Sequence, residues 1–302
     1  MDWQEQIAAA RERIAGHVRV TPVAQLALGG FDVEVKLEQM QHTGSFKARG
    51  AFNTLLSAQV PMGGVVAASG GNHGAAVAFA AQQLGHDAHI FVPELAGPAK
   101  IALIQGTGAD CHVVPGLYAD ALAAARVHEA ETGAMQIHAY DAPATVAGQG
   151  TCLAEWEAQG LLAETVLIAV GGGGLIAGAL AWLAGRRKVV AVEPETSSAL
   201  NAALAAGAPV DVDVSGVAAN ALGARRIGSI CFDLARGVES VTVPDAAITA
   251  AQHLLWQEAR QWVEPAGACA LAALTCGAYR PAVGERVAVL ICGANPAPGP
   301  AI

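Results

Sequence analysis

The alternation of apolar and polar positions divides most of the chain into short strands and longer helices. Residues 33–37, Val-Glu-Val-Lys-Leu, alternate with period two and predict a strand. Other strands read as short continuous apolar runs at 65–68, 89–92, 111–114, 135–138, 166–170, 189–192, 240–243 and 286–291. Ile7, Ile14 and Val18 mark a helix over 5–18 that Thr21-Pro22 closes. Further helices are predicted over 49–56, 74–84, 98–105, 119–131, 147–159, 176–183, 197–206, 245–261 and 267–274. Asp245 is the expected cap of the helix it begins. Residues 207–224 read as irregular.

Such alternation calls for an α/β protein: open, mostly parallel twisted sheets covered on both faces by helices. Composition shifts near Pro61–Gly64 and Tyr140–Pro143. They suggest a smaller domain, residues 61–140, inserted into a larger one made of 1–60 and 141–302. Residues 165–185 carry no charge and are long enough for a membrane span. Four consecutive glycines interrupt them, each unfavourable by about 1 kcal/mol inside a helix. A buried strand, a turn and a core helix fit better.

Composition narrows the function. The chain is 53% hydrophobic and 14% charged, which excludes disorder for its bulk. A net charge of −9 argues against a nucleic-acid surface. The six cysteines form no CxxC and no His/Cys ligand spacing, so they read as reduced thiols of a cytoplasmic protein. The first 18 residues have mixed charge and no apolar core of a signal peptide.

Against that background HTGSFKARGAFN, residues 42–53, stands out. Lys47 sits among small and apolar residues. Burial there would favour the neutral amine, a nucleophile suited to a Schiff base with a carbonyl cofactor. A surface lysine at a helix start is the plainer reading.

Three loops follow strands, where open α/β sheets bind ligands. In ASGGNHG (68–74) backbone N–H groups could hold a carboxylate or phosphate, and Asn72 adds an amide donor. In VGGGGL (170–175) four glycines allow the backbone to wrap a phosphate. In LICGAN (290–295) Cys292 ends the last strand. A competing pattern is Gly172-x-Gly174-x-x-Ala177 with Glu193 about 20 residues on. It would make the protein an NAD-dependent oxidoreductase, but leaves Lys47 unexplained. A cofactor-carrying protein without catalysis is a further alternative.

Taken in order, SFKARGA (45–51), SGGNHG (69–74), GGGGL (171–175), EPAGA (264–268) and CGAN (292–295) resemble the pyridoxal-phosphate-dependent serine/threonine dehydratases, or threonine ammonia-lyases. AGQGT (147–151), VEPE (192–195) and the SGVA and RIGSICFDL segments extend the likeness from Thr21 to Asn295. The resemblance implies the tryptophan synthase β-subunit-like fold (type II) with pyridoxal 5'-phosphate as cofactor. Lys47 then matches the Schiff-base lysine, and could later remove the substrate's α-proton. Phe46 precedes it. Asn72 matches the partner of the 3′-oxygen. Gly171, Gly172, Gly173, Gly174 and Leu175 match the phosphate cup, and Cys292 the neighbour of the pyridine nitrogen. Ser69, Gly70, Gly71 and His73 match the loop for the substrate carboxylate. Glu264 and Gly267 match the strip beside the ring.

The implied reaction is β-elimination from L-threonine or L-serine to a 2-oxo acid and ammonia, by a homodimer that needs no membrane or nucleic acid. 3-Hydroxyaspartate dehydratase and serine racemase are alternatives within the family. Racemases need a serine where this chain has Gly70, and a second carboxylate on the substrate would need a cation in the pocket. Some relatives bind a divalent cation just before the SGVA segment. Here Ser215 stands where an acid is expected, leaving Asp211 and Glu193, and no metal is expected. The tail PAPGPAI departs from the family, and isoleucine feedback through a regulatory domain is not expected.

Overall fold

The first helix, α1 (Trp3–Arg13), starts at Asp2, whose carboxylate accepts from the N–H groups of Gln4 and Glu5. The computed structural model describes residues 2–116 and 118–295, so the divergent tail lies outside the described residues. Strands β1 (Val23–Leu28) and β2 (Phe31–Leu37) pair antiparallel through Gly29-Gly30, both at positive φ. This two-residue turn suits glycine and matches strand twist. β1 is absent from the elements that the sequence pattern predicts. Its sequence VAQLAL, apolar apart from Gln25, does not alternate with period two, and as an edge strand it buries only Leu28.

Next come α2 (Lys47–Ser57), β3 (Val65–Ala68), α3 (Asn72–Leu84), β4 (Ala88–Pro93), α4 (Pro98–Gln105), β5 (Asp110–Val114), α5 (Tyr118–Thr132) and β6 (Met135–Gln136). The chain continues through α6 (Pro143–Ala158), β7 (Thr165–Ala169), α7 (Gly174–Leu183), β8 (Lys188–Pro194) and α8 (Ala199–Ala206). It ends with α9 (Ala219–Leu222), α10 (Ser229–Leu234), β9 (Glu239–Val243), α11 (Asp245–Ala259), α12 (Pro265–Thr275) and β10 (Val287–Ile291).

Among the described residues these strands form two sheets. One has six strands in the order β1-β2-β10-β7-β8-β9, the other four in the order β5-β4-β3-β6. Every pairing except β1–β2 is parallel. Each sheet has its own apolar core. That of the four-stranded sheet includes Ala48, Ala51, Phe52 and Leu55 of α2. Helices α6 and α7 cross at glycines: a β-carbon on Gly178 would lie 2.7 Å from Gly150 Cα. No helix among the described residues is long and apolar enough to cross a membrane.

Several boundaries differ from the sequence reading. α6 begins at Pro143 and α12 at Pro265, earlier than expected, because proline suits the first helical turn. α9 and α10 are short helices in segments that carry no helical pattern. Asp245 does not cap α11. Pro244 holds that place, and the Asp245 carboxylate instead accepts from the Thr196 hydroxyl and the Val217 N–H.

Candidate active site

Lys47 opens α2, and the loop before it is stitched to the end of β10. Phe46 N–H donates to Cys292 O (3.2 Å), Ala294 N–H to Gly44 O (2.9 Å), and Ser45 pairs with Gly293. The Asn295 amide donates to Thr43 O. Thr43 and Gly44 both take positive φ to make this turn. The lysine and the CGAN segment are therefore held as one unit. Lys47 Nζ donates to Ala139 O at 2.7 Å and stands 5.1 Å from the centre of the Phe46 ring. Burial lowers its pKa to about 8, against a smaller upward pull from Cys292.

The opposite wall is the glycine turn between β7 and α7. Gly173 has φ +94°, and a β-carbon there would strike Cys231. One on Gly172 would enter the Tyr140 ring, and one on Gly171 would lie 2.9 Å from Leu222 Cα. The N–H groups of Gly174, Leu175 and Ile176 precede the first internal bond of α7, Ala177 N–H to Gly173 O (2.9 Å). Without a partner among the described residues, they can bind an anion at the positive end of the helix.

Asn72, first residue of α3, donates from Nδ2 to Glu264 Oε1 at 2.6 Å. Burial raises the Glu264 carboxyl to about 7, while Asn72 and Lys100 pull it down. The Cys292 thiol donates to Ala266 O at 3.4 Å, and burial pushes it far above the ordinary thiol range. It is a neutral group in this cavity.

Phe46, Lys47, Asn72, Gly171, Gly172, Gly173, Gly174, Leu175, Glu264 and Cys292 thus line one cavity of about 450 Å³, counting its open mouth. Gly267 sits behind it, where a β-carbon would strike Gly293 O. The substrate-loop candidates are placed differently. Ser69 Oγ accepts from Gly71 N–H (3.1 Å), and His73 Nε2 donates to Ile137 O (2.8 Å). Burial and then Lys47 lower the His73 pKa to about 3, so its ring is neutral. None of Ser69, Gly70, Gly71 and His73 lines this cavity.

Sequence reasoning missed Tyr140, Ala221 and Leu222, which also line the wall, alongside Ala169, Ile176 and Ala266 beside the predicted motifs. No local pattern marks the first three, since they come from a segment between elements and from α9. A second cavity of about 740 Å³ adjoins the first through Ala221, Glu264 and Ala266, and contains Lys100, Val217 and Trp262.

Glu193 is not available to a ribose. It is fully buried and accepts from Leu200 N–H (2.8 Å) and Asn201 N–H (2.7 Å) at the start of α8. This removes the acidic partner that the dinucleotide reading requires. Asp211 pairs instead with Arg226 (3.0 Å).

Residues 14–293 match the family model of the pyridoxal-phosphate dependent enzymes. The chain belongs to this family. It is 36% identical to the phenylserine dehydratase of Ralstonia pickettii, over 96% of this chain and 92% of that one. It is also 36% identical to the biosynthetic L-threonine dehydratase of Escherichia coli (strain K12), over 86% of this chain but only 52% of that relative's length. Among solved structures, a maize serine racemase superposes with a TM-score of 0.91 at 30% identity, covering 97% of this chain and 94% of the other. The expected fold class, two mostly parallel sheets of the tryptophan synthase β type, holds.

The residues present fit the family's cofactor. A desolvated amine, a β-carbon-free turn at a helix N-terminus and a neutral thiol surround one cavity, matching an aldehyde, a phosphate and a ring nitrogen.

Proposed function

We propose that this pyridoxal-phosphate enzyme dehydrates and deaminates a β-hydroxy amino acid, L-serine or L-threonine, to a 2-oxo acid and ammonia. The observation that carries the reading is the Lys47 amine, held near pKa 8 in the cavity that also contains the glycine turn. Bound there, pyridoxal phosphate would supply an aldehyde for the amine and an electron sink for the substrate's α-carbon. Lys47 would anchor it, and the same nitrogen would take the α-proton. Free N–H groups of Gly174, Leu175 and Ile176 would hold the phosphate. The neutral Cys292 thiol would leave the ring nitrogen unprotonated, which suits departure of a β-hydroxyl over longer-lived carbanion chemistry. Water lost in the elimination is regained on hydrolysis of the enamine. Racemisation is disfavoured, because Gly70 offers no second base.

A second reading concerns the substrate's β-substituent. The adjoining cavity has an apolar side at Val217, Ala218, Trp262 and Pro265, with room for an aryl group. The relative named phenylserine dehydratase supports the same reading. Lys100 in that cavity is also the cation that 3-hydroxyaspartate would need.

The test is direct. The purified protein should be yellow, and borohydride should fix the adduct on Lys47, read by mass spectrometry. Release of 2-oxo acid is then compared for serine, threonine, 3-phenylserine and 3-hydroxyaspartate. An adduct on another residue, or none, overturns the assignment, and colour without 2-oxo acid from any of the four overturns the reaction. We propose in addition that the enzyme is a cytoplasmic homodimer. Six free cysteines support the reducing compartment, and light scattering would test the dimer.

A further inference from the structure

A cluster of ligating side chains lies away from the cofactor cavity, at the amino ends of β4 and β5. His89 pairs in register with Asp110, and Phe91 with His112. Side chains two residues apart share a sheet face, so His89, Asp110 and His112 project together. Helix α5 covers that face with His128, whose ring lies 4.2 Å from that of His89. The cofactor loops leave the opposite, carboxyl ends of the strands: His89 pairs with Val66, while Ser69 follows the end of β3.

His89 Nδ1 lies 3.4 Å from His112 Nε2 and 3.6 Å from Asp110 Oδ2. One ligand atom from each residue lies within 4.8 Å of the others. Ligands about 2.0–2.1 Å from a tetrahedral zinc ion stand about 3.3–3.4 Å from one another. The same separations are long for hydrogen bonds, which favour about 2.7–3.2 Å. Two of the three separations thus come close to tetrahedral ligand spacing, and the third lies within 4.8 Å. The Asp110 side chain is 75% exposed and that of His89 21%, so an ion can enter and keep a water. His128 Nε2, buried beside the cluster, has no hydrogen-bond partner among the described residues.

We propose that His89, His112 and Asp110 form a site for a zinc-type divalent cation, with water as fourth ligand, that ties β4 to β5 independently of the cofactor. Spacing along the chain conceals it, since the ligands come from two strands, 21 residues apart at their nearest.

The test uses holoprotein stripped with chelator and titrated with zinc in a calorimeter. One equivalent should bind per chain in the micromolar range and raise the melting temperature. His89→Gln with His112→Gln should weaken binding by about 100-fold or more while the yellow absorption persists. Asp110→Asn, at an exposed position, guards against misfolding of the double variant and should weaken binding about tenfold. Failure to saturate at one equivalent overturns the site. So does binding by Asp110→Asn equal to that of the parent, which would place the ion on other histidines.

Discussion

At the scale of single residues, reactivity follows from surroundings. The Lys47 amine has lost most of its water, and its one hydrogen-bond partner among the described residues is the uncharged Ala139 carbonyl. Its pKa of about 8 sets the fraction of nucleophile: roughly one tenth neutral at pH 7 and nine tenths at pH 9. Because burial lowers the value, capture of pyridoxal phosphate by apoprotein should speed up as pH rises through about 8, then level off. Stopped-flow absorbance would record this. Lys47→Arg keeps the positive charge but cannot form the imine, so 2-oxo acid release should fall by at least about 1,000-fold. Cys292 separates charge from shape. Cys292→Ser retains a neutral donor toward Ala266 and should stay within about tenfold of the parent rate. Cys292→Asp places a second carboxyl near Glu264, already raised to about 7 by burial, and should lose most activity. Steady-state kinetics on the best substrate of the panel would compare the two.

Elements position these side chains, and here the glycine turn of α7 is decisive. Gly172→Ala would drive a methyl into the Tyr140 ring and tilt the free N–H groups. Cofactor affinity should fall by at least about tenfold in an absorbance titration. Gly185→Ala is the control. Unlike Gly172 it has positive φ (+78°), and a β-carbon there meets nothing within 4 Å among the described residues. It should cost about 1–2 kcal/mol of stability and leave affinity unchanged. The turn was legible in the sequence because four glycines in a row are entropically costly to order, and a backbone that must wrap a guest closely needs them. The strands of the parallel sheets were legible for a related reason: burial on both faces leaves uninterrupted apolar runs such as Val65–Ala68. β1 was not, since VAQLAL, apolar apart from Gln25, shows neither an unbroken run nor period-two alternation, and its place at the sheet edge comes from pairing with β2. Nor were Tyr140 and Leu222. They reach the cavity through tertiary packing against glycines, which leaves no periodic trace along the chain. His73 resembles a substrate contact by its motif, yet its ring is engaged by Ile137 O on another segment.

At the scale of the whole molecule, the lysine-bearing helix belongs to one core and is keyed to the other by buried charge. α2 packs its apolar face into the core of the four-stranded sheet, while Arg49 on the same helix reaches the larger one. Its guanidinium donates to Glu38 at 2.5 and 3.0 Å and to Glu155 of α6 at 3.0 Å. Lys36 of β2 closes the network on Glu155 at 2.6 Å. Arg49, Glu38 and Lys36 are essentially inaccessible to solvent. Arg49→Met should therefore destabilise the protein by about 3–5 kcal/mol, because Glu38 loses its guanidinium partner and keeps only the Thr21 hydroxyl. Denaturant unfolding of the holoenzyme would measure it. Adding Glu38→Gln should recover part of the loss, since it removes the stranded charge. The network also predicts an acid response. Burial alone would raise the Glu155 carboxyl, but Arg49 and Lys36 outweigh it and hold it below the ordinary range. A carboxyl depressed in the folded state stabilises fully above its unfolded value, about 4.3. That contribution disappears as pH falls through the folded value. Stability measured from pH 6 down to pH 3 should thus drop in the parent, and Glu155→Gln should start lower and show a shallower fall. If the two curves run parallel, Glu155 is not the group that couples the junction between the two cores to acid.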